Sequence, residues 1–175
     1  MTDPSDALVS FQKELSAGRV KLQKGVLDPS IWVYLDNPTG TPRFTYVRLK
    51  GTTVVALVVL IVVDPIGGAP CFQIGYAVPP EFRNNGLAKG AVRSAIDELW
   101  NGMSRNGLKE MYVEAIVGMD NEASKRVAEA TLSTTSNAIT DTVSGQPALH
   151  YVSRLGYLRE DFDLLLLLHR RSSRV

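Results

Sequence analysis

Ten consecutive apolar residues, Val54 to Val63 (VVALVVLIVV), constrain this chain more than any other stretch. A helix that crosses a bilayer needs about 20 such residues, so the run is too short to span one. Valine dominates it, and β-branched side chains favour extended backbone. The run is therefore predicted to be a buried strand. Its neighbours support that reading. FTYVRLK (residues 44–50), a turn at Gly51 and residues 54–64 form a hairpin pattern. PIGGAP then breaks the chain, and CFQIGYAV (71–78) supplies a third strand, so the middle of the chain is antiparallel. Before it, Val20 to Val26 and Ile31 to Leu35 read as short strands, and the DNPTGTP stretch (36–42) is dense in turn residues. Pro4-Ser5-Asp6 reads as a helix start, with Leu8, Phe11 and Leu15 at helical spacing and Gly18 as the stop.

After residue 86 the period changes. Leu87/Ala88, Ala91/Val92, Ala95/Ile96 and Leu99/Trp100 make one helical stripe that ends near Gly102. A strand follows, with Met111, Val113, Ala115 and Val117 on one face. A second helix, DNEASKRVAEATL, is capped by Asp120 or Asn121. Strand, helix, strand and helix beside an antiparallel unit imply a mixed α/β sheet. The end of the chain has two readings. SNAITDTV, the turn SGQP and ALHYVSRL make a closing hairpin, or ALHYVSRLGY is a short helix and DLLLLLH the last strand. The turn residues favour the hairpin. Residues 157–175 then form a C-terminal extension of a single domain, and its apolar DLLLLL segment is expected to pack on the domain or on a second copy.

Composition narrows the partners. The 175 residues are 45% hydrophobic, enough for one domain with its own core. A net charge of +1 gives no field that points to nucleic acid or a membrane surface. The single cysteine, Cys71, excludes an internal disulfide and suits a reducing compartment. The opening MTDPSDALVSF lacks the basic and apolar regions of a signal peptide. A cytoplasmic location is the expectation. His150 and His169 show no metal-ligand spacing, so no metal is expected.

FRNNGLAKGAV (82–92) carries the candidate chemistry. A strand-to-helix turn aims free backbone N–H groups and the positive end of a helix dipole at one point, where phosphates bind. Gly86 permits close backbone approach, Ala88 keeps the first helical turn slim and Arg83 adds charge. Taken alone, the stretch is equally well a plain turn. It is not a Walker loop, which needs a Gly-Lys-Ser/Thr, nor a dinucleotide fingerprint, which needs a third glycine.

GYAVPPEFRNNGLAKGAVRSAIDEL followed by VEAIVGMDNEASKRVAEA resembles the GNAT superfamily of acyl-CoA N-acyltransferases, most clearly over residues 44–132 and on to about 155. Arg83-Asn84-Asn85-Gly86-Leu87-Ala88 matches its Arg/Gln-x-x-Gly-x-Gly/Ala motif. The Gly-x-Ala spacing and Asn121-x-x-Ser124 look like the branch that contains ribosomal-protein N-terminal acetyltransferases. In that branch a glutamate usually stands where this chain has Gly90, and a Gly-Phe where it has Leu132-Ser133.

The resemblance implies an α/β GNAT fold: a mixed, mostly antiparallel sheet of about seven strands, helices on both faces, and central strands 71–78 and 109–117 splayed at the acyl-CoA site. It implies acetyl-CoA as co-substrate, its pyrophosphate held by Arg83 and the backbone N–H groups of Asn84, Asn85, Gly86, Leu87 and Ala88. The pantetheine arm would bond to the backbone near Ala77 and Val78 and to Asn121, and Val78 N–H would face the oxyanion. Glu114 is the candidate base, a carboxylate on the strand face opposite Met111, Val113 and Ala115. The tyrosine that often serves as acid in the family is Ala128 here, and Ser124 is the substitute. Cys71 reads as a small core residue, and Tyr151 on the final strand either packs in the core, the favoured reading, or enters the active site. Trp32 and Tyr34 are candidates for the acceptor side. The function implied is N-acetyl transfer to a primary amine, on a protein N-terminus or a small molecule. The alternatives are a GNAT-fold module that binds acyl-CoA without catalysis and a transferase of longer acyl chains.

Overall fold

The computed structural model describes residues 4–38 and 40–156. Every residue from Val54 to Leu60 is buried. Successive strand side chains point to opposite faces, so such a strand needs cover on both sides. It has it. Val54, Leu57 and Val59 pack with Val47 and with Leu8 of the first helix. Ala56, Val58 and Leu60 face the larger core, with Ala91, Val92, Ala95, Ile96 and Leu99 of the second helix. The last part of the run, Ile61 to Val63, is only partly covered.

The element order is α1 (Pro4–Ser16), β1 (Gln23–Lys24), β2 (Ile31–Asp36), β3 (Arg43–Lys50), β4 (Thr53–Ile66), β5 (Ala69–Ala77), a 3-10 turn (Pro80–Phe82), α2 (Leu87–Arg105), β6 (Met111–Gly118), α3 (Glu122–Thr131), β7 (Asn137–Thr140) and β8 (Pro147–Leu155). Among the described residues the sheet has eight strands in the order β1-β2-β3-β4-β5-β6-β8-β7. Every neighbouring pair is antiparallel except β5–β6, which the α2 crossover joins in parallel. The α1 helix lies on one face, while α2 contributes to the core on the other face, with Val127 and Ala128 of α3. Among the described residues no helix is long and apolar enough to cross a membrane.

The expected mixed sheet with helices on both faces is present, and the closing hairpin is β7–β8. Three boundaries differ. The strand expected over Val20 to Val26 shrinks to two residues, and the sheet has eight strands against the expected seven or so. PIGGAP does not break the ladder: β4 runs on to Ile66, and Gly67 and Gly68, both with positive φ, turn directly into β5. Helix α2 passes Gly102 and ends at Arg105. The extension after residue 156 lies outside the described residues.

A buried carboxylate bounds β1 on its C-terminal side. Glu98 on α2 accepts the backbone N–H groups of Val26, Leu27 and Asp28 at 3.0, 2.6 and 2.8 Å. Those donors are taken from any strand ladder. Gly25 lies so close that a Cβ there would meet Glu98 Oε1 at 2.6 Å and the Asp28 carbonyl at 2.5 Å. One turn earlier on α2, the Ser94 hydroxyl donates to Asp28, which also accepts from Ser30 and from Arg48 of β3. The α2 helix is thereby tied to the 25–30 loop as well as to the sheet.

Two outcomes follow. Glu98→Ala leaves three N–H groups without an acceptor and should cost on the order of 3 kcal/mol in urea unfolding. Hydrogen bonds from Ser30 and then Ser94 hold the Asp28 carboxyl at about 2, against an ordinary 3.8. A carboxyl lowered by folding stabilises above its unfolded value and loses that contribution as pH falls through its folded value. Acid unfolding followed from pH 3.8 to about 2 should therefore be shallower in Asp28→Asn than in the parent chain.

Candidate active site

The parallel β5–β6 ladder holds three pairs, Cys71↔Tyr112, Phe72↔Val113 and Gln73↔Glu114, and then stops. Beyond that point each strand follows its other neighbour. The β5 strand stays paired with β4 as far as Ala77, and β6 stays paired with β8 as far as Gly118. The two strands part, and a cavity of about 480 Å³ opens between Ile74–Val78 and Ala115–Gly118. Backbone N–H and C=O groups seek partners, and here two strand edges face each other with no ladder between them. Pro4 and Ser5 of α1 close one side, and the starts of α2 and α3 close the other.

The turn into α2 is built from its own polar groups. The Arg83 Nε donates to the Val78 carbonyl at 3.0 Å, which ties the turn back to the strand end. Asn84 has φ 63° and Gly86 φ 73°, both left-handed, a conformation in which asparagine and glycine are favoured. The Asn85 side chain donates to the Arg83 carbonyl at 3.0 Å and so points into the turn; Asn85 does not line the cavity. Gly86 is the N-cap of α2 and no side chain caps that helix. The first-turn N–H groups, on Leu87, Ala88 and Lys89, thus have no side-chain acceptor at the cavity wall. Arg83, Lys89 and Arg126 line the cavity, and among the described residues no carboxylate does. A chain of net charge +1 has concentrated positive charge at one cleft.

The second helix start is different. Asn121 Oδ1 accepts the Ser124 N–H at 3.0 Å, an N-cap of ordinary kind, and both residues line the cavity. The Tyr76 hydroxyl donates to the Ser124 carbonyl at 2.7 Å and pins α3 to β5. Burial pushes that hydroxyl's pKa up. Tyr76 was not singled out by sequence. The signal was strand alternation, which puts it on the α3 face with Phe72 and Ile74.

Glu114 lies in the last β5–β6 pair, immediately before the cavity wall begins at Ala115. Burial alternates along β6 as expected, so Glu114 shares the α1-side face with Tyr112 and Ile116. It does not itself line the cavity. Its side chain is 14% exposed, and Oε2 is 2.9 Å from His150 Nε2 on β8. Burial, with the Glu114 charge second, pushes the Cys71 thiol on β5 up to about 12. Cys71 and Tyr151 are core residues, as expected. Trp32 and Tyr34 are not brought to the cavity. Tyr34 packs edge-on against Phe11, and Lys24 lies over the Trp32 ring. Space does not demand glycine at Gly90, where an added Cβ would meet only Arg48 Nη2 at 3.9 Å.

A family model described as an acetyltransferase (GNAT) domain matches residues 20–131. The chain belongs to the GNAT acetyltransferase family. Among solved structures it is similar to Mycobacterium smegmatis RimJ in complex with CoA-disulfide, with a TM-score of 0.51 and 17% identity, covering 66% of this chain and 54% of that one. Two further matches have lower scores. One is a Vibrio fischeri ribosomal-protein-S5-alanine acetyltransferase, with TM-score 0.47, 17% identity and coverage of 65% and 61%. The other is a chimera of Vibrio cholerae spermidine N-acetyltransferase and hSSAT, with TM-score 0.48, 14% identity and coverage of 66% and 68%. The chain spans about half the length of the RimJ structure it matches. No curated protein matches it. The likeness to RimJ is one of fold, and with the family model it bears out the GNAT architecture read from the sequence.

The cap and any ligand role of Asn121 separate experimentally. Asn121→Ala should lower stability by about 1 kcal/mol in urea unfolding. Asn121→Asp keeps an acceptor for Ser124 N–H and should unfold like the parent.

Proposed function

We propose that the chain is an N-acetyltransferase that moves the acetyl group of acetyl-CoA to a primary amine. The observation that carries this reading is the cavity lined by Arg83, Lys89 and Arg126 that runs from the uncapped start of α2 to the end of the β5–β6 ladder. Its residues fit coenzyme A. Arg83 and the N–H groups from Asn84 to Ala88 would hold the pyrophosphate, where an uncapped helix start favours anions. The Asn85 contribution is its backbone, since its side chain is used within the turn. The open strand edges at Ala77 and Val78 would bond the amides of the pantetheine arm as a further strand would, with Asn121 beside them. Acetyl-CoA supplies the activated acetyl thioester.

The amine nitrogen attacks the thioester carbon, the carbon–sulfur bond breaks, and the thiolate takes up a proton. Val78 N–H stabilises the oxyanion. Glu114, at the end of the ladder, takes the proton that the amine loses, directly or through a water. Ser124, on the cavity wall, is the candidate donor to the thiolate. The products are an N-acetyl amine and coenzyme A thiol. In this reading the whole chain is one cytoplasmic domain and residues 157–175 are its extension.

Gly86→Glu puts a carboxylate at the anion site and a side chain at a left-handed position. It should abolish acetyl-CoA binding in calorimetry while the domain stays folded, and unchanged affinity would remove the pyrophosphate assignment. Glu114→Gln keeps the shape and should lower turnover by about a hundredfold to ten-thousandfold near neutral pH. Acetyl-CoA affinity should barely change, and the defect should shrink at high pH, where more amine is already neutral. Thiol release is measured with spermidine, alanine amide and a peptide with N-terminal serine. A parent chain that binds acetyl-CoA and acetylates none of them is a binding module.

A further inference from the structure

The bond between Glu114 and His150 has no part in the reading so far. Its position is specific. His150 is the cross-strand partner of Ile116, and Ile116 lines the cavity. Paired residues share a sheet face, so His150 stands on the α1-side face, two pairs nearer the open slot than Glu114's partner Val152. From there Nε2 reaches back 2.9 Å to Glu114 Oε2. Among the described residues, the ring's Nδ1 has no hydrogen bond. A carboxylate without such a donor could rotate freely about its side-chain bonds. Held from β8, this one stays at the end of the ladder.

We infer that His150 is a positioning residue for the acetyl transfer: its Nε2–H holds Glu114 Oε2 and fixes the carboxylate in the orientation that receives the proton of the incoming amine. The inference rests on the assignment of Glu114 as base. An ionised carboxylate offers about four lone-pair sites. His150 occupies one, and the remainder are open to the proton that the amine loses. Both the neutral tautomer protonated on Nε2 and the imidazolium make this bond. The proton balance is that of the transfer itself: one proton leaves the amine nitrogen for Glu114, and His150 keeps its own. Sequence gave no sign of this, because residues 114 and 150 lie 36 positions apart and only the β6–β8 register joins them.

The test is steady-state kinetics with acetyl-CoA and the best acceptor among spermidine, alanine amide and a peptide with N-terminal serine. His150→Ala should lower kcat by about a hundredfold, the scale of a small misplacement at a reacting centre. The KM for acetyl-CoA should stay within about twofold, because no contact to that ligand is removed. His150→Gln places an amide N–H near the same point and should recover most of the loss. In the Glu114→Gln background, His150→Ala should add almost nothing, since the two side chains act as one unit. An active parent whose His150→Ala variant keeps its kcat, or merely melts earlier, overturns this inference alone. Losses that multiply in the double variant also overturn it, since His150 would then act elsewhere. A parent inactive on all three acceptors overturns the transferase assignment, and this inference with it.

Discussion

The site depends on where one ladder ends. Parallel β5 and β6 pair for three residues and part after Gln73↔Glu114. Neither strand is free to close the gap. The β5 strand is held by β4 through Ala77, and β6 is held by β8 through Gly118. Closing the slot would therefore break two longer antiparallel ladders to extend one short parallel one. Outward registers thus create an opening inside the sheet, with backbone polar groups on both edges. Such an opening is a ready place for an extended molecule with amide groups of its own.

The same logic sets the second wall. An uncapped helix start binds anions only if the helix stays where the ligand needs it. The α2 helix is fixed by its apolar stripe against β4 and by two polar ties to the 25–30 loop. Glu98 and Ser94 thus act at a distance from the cavity, through the placement of the helix that carries Leu87 and Ala88. The α3 start is capped by Asn121 and pinned by Tyr76, so it contributes a fixed wall, with side chains rather than open N–H groups.

Much of this was legible in sequence, for physical reasons. The valine run could only be a buried strand, and it is covered on both faces. The paired apolar residues of α2 and the alternation in β6 survive folding because each faces a core that rewards them. The Arg83–Ala88 turn was legible because left-handed backbone and close approach select glycine and asparagine. The rest depends on long-range pairing. Val20 to Val26 has strand composition, but at its end the Val26 N–H goes to Glu98, more than seventy residues away. PIGGAP (65–70) reads as a break, but the β4–β5 ladder absorbs it in an irregular register next to the Gly67-Gly68 turn. Trp32 and Tyr34 have aromatic rings suited to an acceptor site, and α1 claims that face of β2 instead. His150 was weighed only as a metal ligand, because the carboxylate it meets is brought by register rather than by spacing.

The central claim is that the gap between β5 and β6 and the start of α2 form one continuous binding surface for coenzyme A. Backbone amide chemical shifts recorded during a titration with coenzyme A test it directly. The largest changes are predicted at residues 84–89, with a second set along 75–78 and 115–118 and little effect on β1 to β3. Changes confined to the helix start would mean an anion site without the slot. Changes centred on β2, β3 or the 25–30 loop, with residues 84–89 unmoved, would contradict the account.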